Sequence, residues 1–368
     1  MTVVAIDVGP LVGARTGIGQ FVTHLVAALE AQPDPPELHR YVLSFRAALP
    51  PDVHRLPYPA GPTLQAWGRI DWPRPRRPLG HAAVVHGTNY VVPPTRLPAI
   101  VTVHDCSFVT RPDFVNDTVR AFVPVVRRAV DRGTLVHTPS AYVAGEVRDL
   151  FGAAPEQVRV IPHGPPLDRS RNGRPAPTRS VTRGRPYILA LATREPRKNL
   201  PRLVEAYGLV QAEQPDLALV LVGPDGPDQA NVESAIRRLP PIAAASVVIR
   251  PWMDDDDRAA VLAGATVLAV PSHDEGFGLP LLEAMQFDVP VVAARAGALP
   301  EVAADAALYA DQRDAAELAG ALARAASDDA LRAELVAAGR RRVANYSWER
   351  TAAAFNALYI EAATEHAP

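Results

Sequence analysis

The stretch Pro271-Ser-His-Asp-Glu275-Gly-Phe-Gly-Leu-Pro280-Leu-Leu-Glu283-Ala-Met285 places two carboxylates eight residues apart, with two glycines and a proline between them. It follows an apolar, β-branched run, so it reads as a turn from a strand into a helix. Gly276 and Gly278 allow close approach of a ligand to the backbone, and Pro280 suits the start of a helix. A helix opening here would aim free N–H groups and its positive dipole end at an anion, for which phosphate is the natural occupant. Glu275 on the loop and Glu283 about a turn into the helix would face one cleft, where carboxylates accept hydrogen bonds from sugar or ribose hydroxyls.

A second cluster is Thr193-Arg194-Glu195-Pro196-Arg197-Lys198-Asn199, between an expected strand and an expected helix. Lys198 is the only lysine among 38 basic residues. Beside Arg197 it offers a point charge next to a bidentate fork, a pairing suited to a diphosphate. His104-Asp105 ends another strand, and a histidine there would hydrogen-bond a substrate hydroxyl or a developing charge; His86-Gly87-Thr88-Asn89 is a weaker version of the same arrangement. Gly13-Ala-Arg-Thr-Gly17-Ile-Gly19 is a strand-loop-helix turn but lacks the third glycine of a dinucleotide fingerprint, which counts against a nicotinamide dehydrogenase. Asp254-Asp255-Asp256-Asp257 invites a metal reading, yet its place before Arg258-Ala-Ala-Val-Leu fits a helix start better, so no metal site is assigned. Trp67–Pro78, with Trp72, Arg74, Arg76 and Arg77, mixes aromatic and basic residues as a contact for an anionic membrane or charged acceptor would, although a solvated loop explains it more simply.

These residues need elements to position them. A chain of 368 residues with 48% hydrophobic and 21% charged residues is globular, and its length suits two domains. One cysteine, Cys106, excludes an intramolecular disulfide, and no Cys/His spacing suits structural zinc. The net charge of −2 hides a split of +8 over residues 1–185 and −10 over 186–368, which favours an anionic partner on the first half. No run approaches the ~18 apolar residues of a membrane span and the start lacks a signal-peptide basic region, so a cytoplasmic protein is expected, in peripheral contact with the inner face of the membrane at most.

Short apolar runs alternate with helical patterns, the signature of parallel βαβ units. Strands are expected at Val3–Ile6, Ala83–Val85, Ala99–Val103, Leu135–His137 and Val158–Ile161, with helices over Thr118–Arg128 and Ala141–Leu150. After the Pro-, Gly- and Arg-rich segment 169–186, the alternation restarts with strands at Tyr187–Leu191, Leu217–Val222, Ser246–Ile249, Val267–Val270 and Val289–Ala293. The expected organisation is a Rossmann-like domain at 1–168, a linker at 169–186, a second Rossmann-like domain at 187–345, and a C-terminal helical segment at 346–368. The fold class is α/β, with two doubly wound parallel sheets facing across a cleft.

Nearly the whole chain resembles the retaining, nucleotide-sugar-dependent glycosyltransferases of family 4, which have the GT-B fold. The resemblance runs through Thr16-Gly-Ile-Gly19, His86 to Pro94, Val101-Thr-Val-His104-Asp105, Thr138-Pro-Ser140, Val160-Ile-Pro-His-Gly164 and Glu195-Pro-Arg-Lys-Asn199. It is strongest at Pro271 to Met285, which is similar to the family's E-x(7)-E motif, and continues in Gly297-Ala-Leu-Pro-Glu301-Val302 and Tyr346-Ser-Trp348. The resemblance implies catalytic roles for Arg197, Lys198, Glu275 and His104: the two cations neutralise the donor diphosphate, Glu275 addresses the sugar ring and His104 contacts the transferred sugar. It implies donor binding by Gly17, Gly19, Thr193, Gly276, Phe277, Gly278 and Leu279, by Glu283 on the ribose hydroxyls, and by Pro251 and Trp252 near the base. It further implies no metal and no other cofactor, a nucleotide-sugar donor, a glycan or lipid-linked acceptor on the first domain, and no nucleic-acid partner. The Glu-Pro-Arg-Lys-Asn subgroup is most similar to mannosyltransferases using GDP-mannose. Gln286-Phe287-Asp288 and Arg194 depart from the family pattern; Arg194 stands where leucine is more usual and would be either a further phosphate contact or simply exposed. The rival readings are a GT-B sugar-nucleotide epimerase and a non-catalytic sugar-nucleotide-binding subunit.

Overall fold

The computed structural model describes residues 1–13, 17–75, 79, 81–115, 117–167, 178, 180–251 and 253–365. It divides into two compact units, Met1–Gly164 with Ser347–Pro368 (unit 1) and Pro165–Tyr346 (unit 2).

Unit 1 is built on seven strands: β1 (Val3–Asp7), β2 (Glu37–Leu43), β3 (Val53–Leu56), β4 (Val84–Gly87), β5 (Ala99–Thr102), β6 (Leu135–Thr138) and β7 (Val158–Val160). They form one parallel sheet in the order β3-β2-β1-β4-β5-β6-β7. Successive strand residues face opposite sides of the sheet. Val4, Ile6, Val84 and Ile100 join one core, whereas Ala5, Val85, Val101 and Val136 join the other. The first core is completed by helix Gly17–Glu30, through Phe21, Val22 and Leu25, and by helix Trp348–Glu365, through Ala352, Phe355, Leu358 and Tyr359. The single helix expected over Thr118–Arg128 is instead two, Asp117–Arg120 and Phe122–Asp131.

Unit 2 holds β8 (Tyr187–Leu191), β9 (Ala218–Val222), β10 (Val247–Arg250), β11 (Val267–Val270), β12 (Val291–Ala294) and β13 (Ala307–Ala310). Its parallel sheet runs β10-β9-β8-β11-β12-β13. All five residues of β9 are buried, as a parallel strand covered on both faces requires. Leu189, Val220, Leu268 and Val291 pack on one side, and Ile188, Leu219, Val267 and Val292 on the other. Unit 2 begins at Pro165, and Leu167 already belongs to its core; residues 169–177 and 179 of the segment read as a linker lie outside the described residues.

Candidate active site

Unit 2 reverses its strand order between β8 and β11, and in open α/β sheets ligands sit beyond the carboxyl ends of the strands at such a point. The loops that leave these two strands carry Thr193 to Asn199 and Pro271 to Gly278. Asn199 ties one loop to the rest of the unit, its Nδ2 donating to the carbonyls of Pro271 (3.1 Å) and Gln312 (2.8 Å). The His273 N–H donates to the Arg197 carbonyl at 2.8 Å, so the two loops are joined through backbone as well.

Glu275 is the hub. Lys198 Nζ donates to its Oε1 at 2.6 Å, Ser272 Oγ to the same oxygen at 2.8 Å, and Arg197 Nη1 to Oε2 at 3.1 Å. Burial acts to raise the Glu275 pKa, but the Lys198 and Arg197 charges and the hydrogen bonds from Lys198 and Ser272 outweigh it and bring the group down to about 2. Two cations against one carboxylate leave one positive charge in excess, and the side chains of Arg197 and Lys198 retain 18% and 17% exposure. The site is therefore held rigid from below while its cations stay accessible to an anion.

The helix Leu279–Gln286 opens after Gly278, whose φ of +94° is left-handed. Pro280 lies in its first turn, and Leu281, Leu282, Ala284 and Met285 bury its inner face. Gly276 and Phe277 are buried just ahead of it, with the Phe277 ring edge-on to Tyr346 at 5.8 Å. Glu283 is buried too, and its Oε1 accepts from Arg258 Nη1 at 2.7 Å while Arg258 Nη2 reaches Asp255 at 3.0 Å. Burial lifts the Glu283 pKa above the usual carboxylate range, with Arg258 opposing. Among the described residues Oε2 has no hydrogen-bond partner, which leaves it for a ligand hydroxyl. The aspartate run is a helix cap, as its position suggested: Asp254 Oδ1 accepts the Asp257 N–H at 2.8 Å at the start of helix Asp255–Gly264. Among the described residues no group of His, Cys, Asp and Glu is arranged to hold a metal.

Gly297 supports Glu275 from behind. Its φ is +57°, and a Cβ there would lie 2.4 Å from the Glu275 carbonyl oxygen and 2.6 Å from its nitrogen. Gly297→Ala is expected to displace Glu275, lowering turnover at least about tenfold and stability by roughly 1–3 kcal/mol; kinetics and thermal melting of the variant check both.

Arg194 corrects the idea of an exposed loop residue. Its side chain is 2% exposed and pairs through Nη2 with Asp225, which is 82% exposed, and neither its Nε nor its Nη1 finds a partner among the described residues. A buried guanidinium so poorly satisfied is a cost rather than a gain. Arg194→Leu is expected to be neutral or to stabilise by up to ~2 kcal/mol. Asp225→Ala should destabilise by more, about 3 kcal/mol, because it leaves the buried Arg194 charge without its carboxylate; denaturant melts distinguish the two.

Thr193 is partly buried at the start of the same loop and Pro251 is exposed after β10. Trp252, Arg76 and Arg77 lie outside the described residues, as does Thr16. Gly17 is the exposed first residue of helix Gly17–Glu30, and a Cβ on Gly19 would lie 3.1 Å from the Pro10 carbonyl.

In unit 1, His104 Nε2 lies 2.9 Å from the Thr88 carbonyl. A carbonyl only accepts, so Nε2 carries the proton and Nδ1 of the neutral ring is an acceptor. Burial brings its pKa down to about 4 despite the Thr88 carbonyl and Asp105. At neutral pH His104 can receive a hydroxyl hydrogen bond but supplies no positive charge. His86, by contrast, is fully committed inside the protein. It sits between Tyr359 and Thr102, each at 2.8 Å, and Thr102 Oγ1 is 3.0 Å from His137 Nδ1. His137 Nε2 is 3.0 Å from the Ile161 carbonyl.

Residues 178–342 match the family model described as glycosyl transferases group 1, and residues 15–169 match the model for glycosyltransferase family 4. The chain belongs to the family 4, group 1 glycosyltransferases. The chain is 29% identical over 324 residues to an O-antigen chain mannosyltransferase B of Escherichia coli, covering 84% of this chain and 80% of that one. It is 33% identical to a D-inositol 3-phosphate glycosyltransferase of Salinispora arenicola over 61% of this chain, and spans only about half, 54%, of that relative. Sucrose-phosphate synthase from Thermosynechococcus elongatus superposes with a TM-score of 0.76 at 20% identity, covering 98% of this chain and 99% of that one, a likeness of GT-B fold. Within this glycosyltransferase, Arg258, Ser272, Asn199 and Gly297 are site residues that motif reading passed over. Arg258 had a signal: it stands one turn into the helix that Asp254 caps.

Proposed function

We propose that the protein is a retaining hexosyltransferase that moves mannose from GDP-mannose to a hydroxyl of a glycan or lipid-linked acceptor, without a metal ion. The observation that carries this reading is the Lys198–Glu275–Arg197 cluster, with one positive charge in excess, at the strand-order reversal of unit 2. Cleavage of the donor breaks the bond between C1 and a phosphate oxygen and leaves negative charge on the diphosphate; preorganised cations stabilise that charge as it develops. The acceptor oxygen bonds to C1 on the face the diphosphate leaves, and the departing phosphate oxygen takes the hydroxyl proton. Glu275, ionised at any pH near neutrality, holds both cations in place and orients the sugar ring. Glu283 Oε2 accepts from the ribose. Mannose is supported by the mannosyltransferase relative, and the guanine base only by the likeness of Glu195-Pro-Arg-Lys-Asn199 to the GDP-mannose-using subgroup. Among the described residues no helix is long and apolar enough to cross a membrane.

A ligand that binds only the native state raises its melting temperature. GDP and GDP-mannose are expected to stabilise the protein more than the UDP and ADP series, with no change on adding EDTA. The absence of any shift at millimolar nucleotide would sink the donor assignment, and a shift abolished by EDTA would sink its metal independence. The anomeric configuration of the product, read by NMR, checks retention.

A further inference from the structure

The carboxyl of Asp7 takes no part in the donor chemistry, yet it stands where unit 1 is built to receive a ligand. It ends β1, the strand at which the seven-stranded sheet reverses: β2 and β3 lie to one side, β4 to β7 to the other. Ligands of open α/β sheets sit beyond the carboxyl ends of strands at that reversal. Three strand ends are knitted together there. Thr88 Oγ1, just after β4, donates to the Asp7 backbone carbonyl at 2.8 Å, and His104, just after β5, donates from Nε2 to the Thr88 carbonyl at 2.9 Å.

Asp7 Oδ1 accepts the Gly9 N–H at 2.8 Å. Oδ2 has no partner among the described residues, and no described cation pairs with the carboxyl. The residue is only partly buried, so Oδ2 is reachable. A carboxylate oxygen left over in a polar, partly enclosed position calls for a donor. Burial, only partly offset by the Gly9 N–H, raises the Asp7 pKa to about 7, as expected of a carboxyl with a single donor and no counter-charge. A carboxylate oxygen with no described cation beside it suits a hydroxylated ligand and disfavours an anion.

We propose that Asp7 binds a hydroxyl of the sugar or cyclitol acceptor through Oδ2. This rests on the reading of unit 1 as the acceptor side of the glycosyltransferase. Asp7→Asn keeps an oxygen for the Gly9 turn and replaces the second acceptor with an NH2 donor. Asp7→Ser retains a smaller oxygen for the turn and removes the second acceptor.

The experiment measures methyl α-mannopyranoside and myo-inositol binding by saturation-transfer NMR with GDP present, and GDP-mannose binding by calorimetry, on the parent and on both variants, with melting curves to select folded protein. At least one probe is expected to bind the parent, and affinity for it should fall tenfold or more in Asp7→Asn and Asp7→Ser while GDP-mannose affinity stays within twofold. Equal probe affinity in parent and either folded variant overturns the proposal, as does a parent that binds neither probe. A parent that binds a probe through Asp7 but binds no GDP-mannose overturns the donor reading and leaves the proposal standing.

Discussion

Lys198→Ala is expected to lower the turnover number by about 10²–10³, or roughly 3–4 kcal/mol of transition-state stabilisation, while the protein stays folded. Lys198 Nζ sits 2.6 Å from Glu275 Oε1 and is partly open to solvent. Its removal leaves Arg197 alone opposite Glu275, and the excess positive charge that would meet the leaving diphosphate disappears. The loss is therefore felt mainly where charge develops, in turnover, with a smaller effect on ground-state donor binding. Lys198→Arg should recover only part of the activity, because a planar fork cannot occupy the same position as a compact ammonium between Glu275 and a phosphate. Steady-state kinetics with GDP-mannose, beside melting curves of each variant, make the comparison. A folded Lys198→Ala enzyme working at the parental rate would remove this residue from the mechanism.

The second large effect concerns pH. With both rings neutral, the chain from Tyr359 through His86, Thr102 and His137 to the Ile161 carbonyl has one consistent assignment of protons. The carbonyl needs a donor, so His137 carries its proton on Nε2 and accepts at Nδ1 from the Thr102 hydroxyl. Thr102 must then accept from His86 Nε2–H, and His86 Nδ1 accepts from Tyr359. Burial keeps both rings neutral, since a charged imidazole would lose its hydration there. Burial lowers the pKa of His137 to about 3 and of His104 to about 4, and it holds His86 and His163 well below the ordinary range.

The folded state thus refuses protons that the unfolded chain accepts near pH 6.5. The stabilisation from the neutral rings is complete above that pH and is lost as pH falls toward 4 and 3. Each such histidine removes about 2 kcal/mol between pH 7.5 and 5. Asp7 opposes them, since its raised pKa of about 7 makes the folded state take up a proton first. The histidines outnumber it, and the melting temperature of unit 1 is expected to drop by about 8 °C or more between pH 7.5 and 5. His137→Gln should flatten that dependence by close to one proton. A pH-independent melt over this range would contradict the neutral, buried assignment.

Much of this was legible in the residues. The alternation of apolar runs gave two parallel sheets, and the loops after Leu191 and Val270 emerged as the two that meet at Glu275. Three strands escaped. β2 and β3 are the outer strands of their sheet, with partly exposed faces carrying Glu37, His39, Arg40, His54 and Arg55, so their apolar alternation is broken. β13 is an edge strand of four residues, Ala-Leu-Tyr-Ala, which blends into the Ala-rich text around it. His86 was read as a weaker counterpart of His104, because a sequence cannot say that Tyr359, 273 positions away, takes up one of its nitrogens. Arg258 lies only 25 positions from Glu283, but their pairing depends on two helices leaving different strands. Arg194 shows the reverse problem, where a charged residue in a loop suggests solvent but the fold encloses it.

Unit 1 is assembled from two pieces of chain separated by the whole of Pro165–Tyr346. Its first core lacks Phe355 and Tyr359, and the His86 nitrogen lacks its hydroxyl, until helix Trp348–Glu365 arrives. A chain made from its amino end therefore cannot finish the half it begins with. The later half, continuous in sequence, closes its own two cores first, reversing the usual order in which domains fold during synthesis. Until residue 359 clears the ribosome, the face of β1 and β4 that carries Val4, Ile6 and Val84 stays partly uncovered, so the nascent glycosyltransferase carries a finished second unit joined to a first unit still open to chaperones.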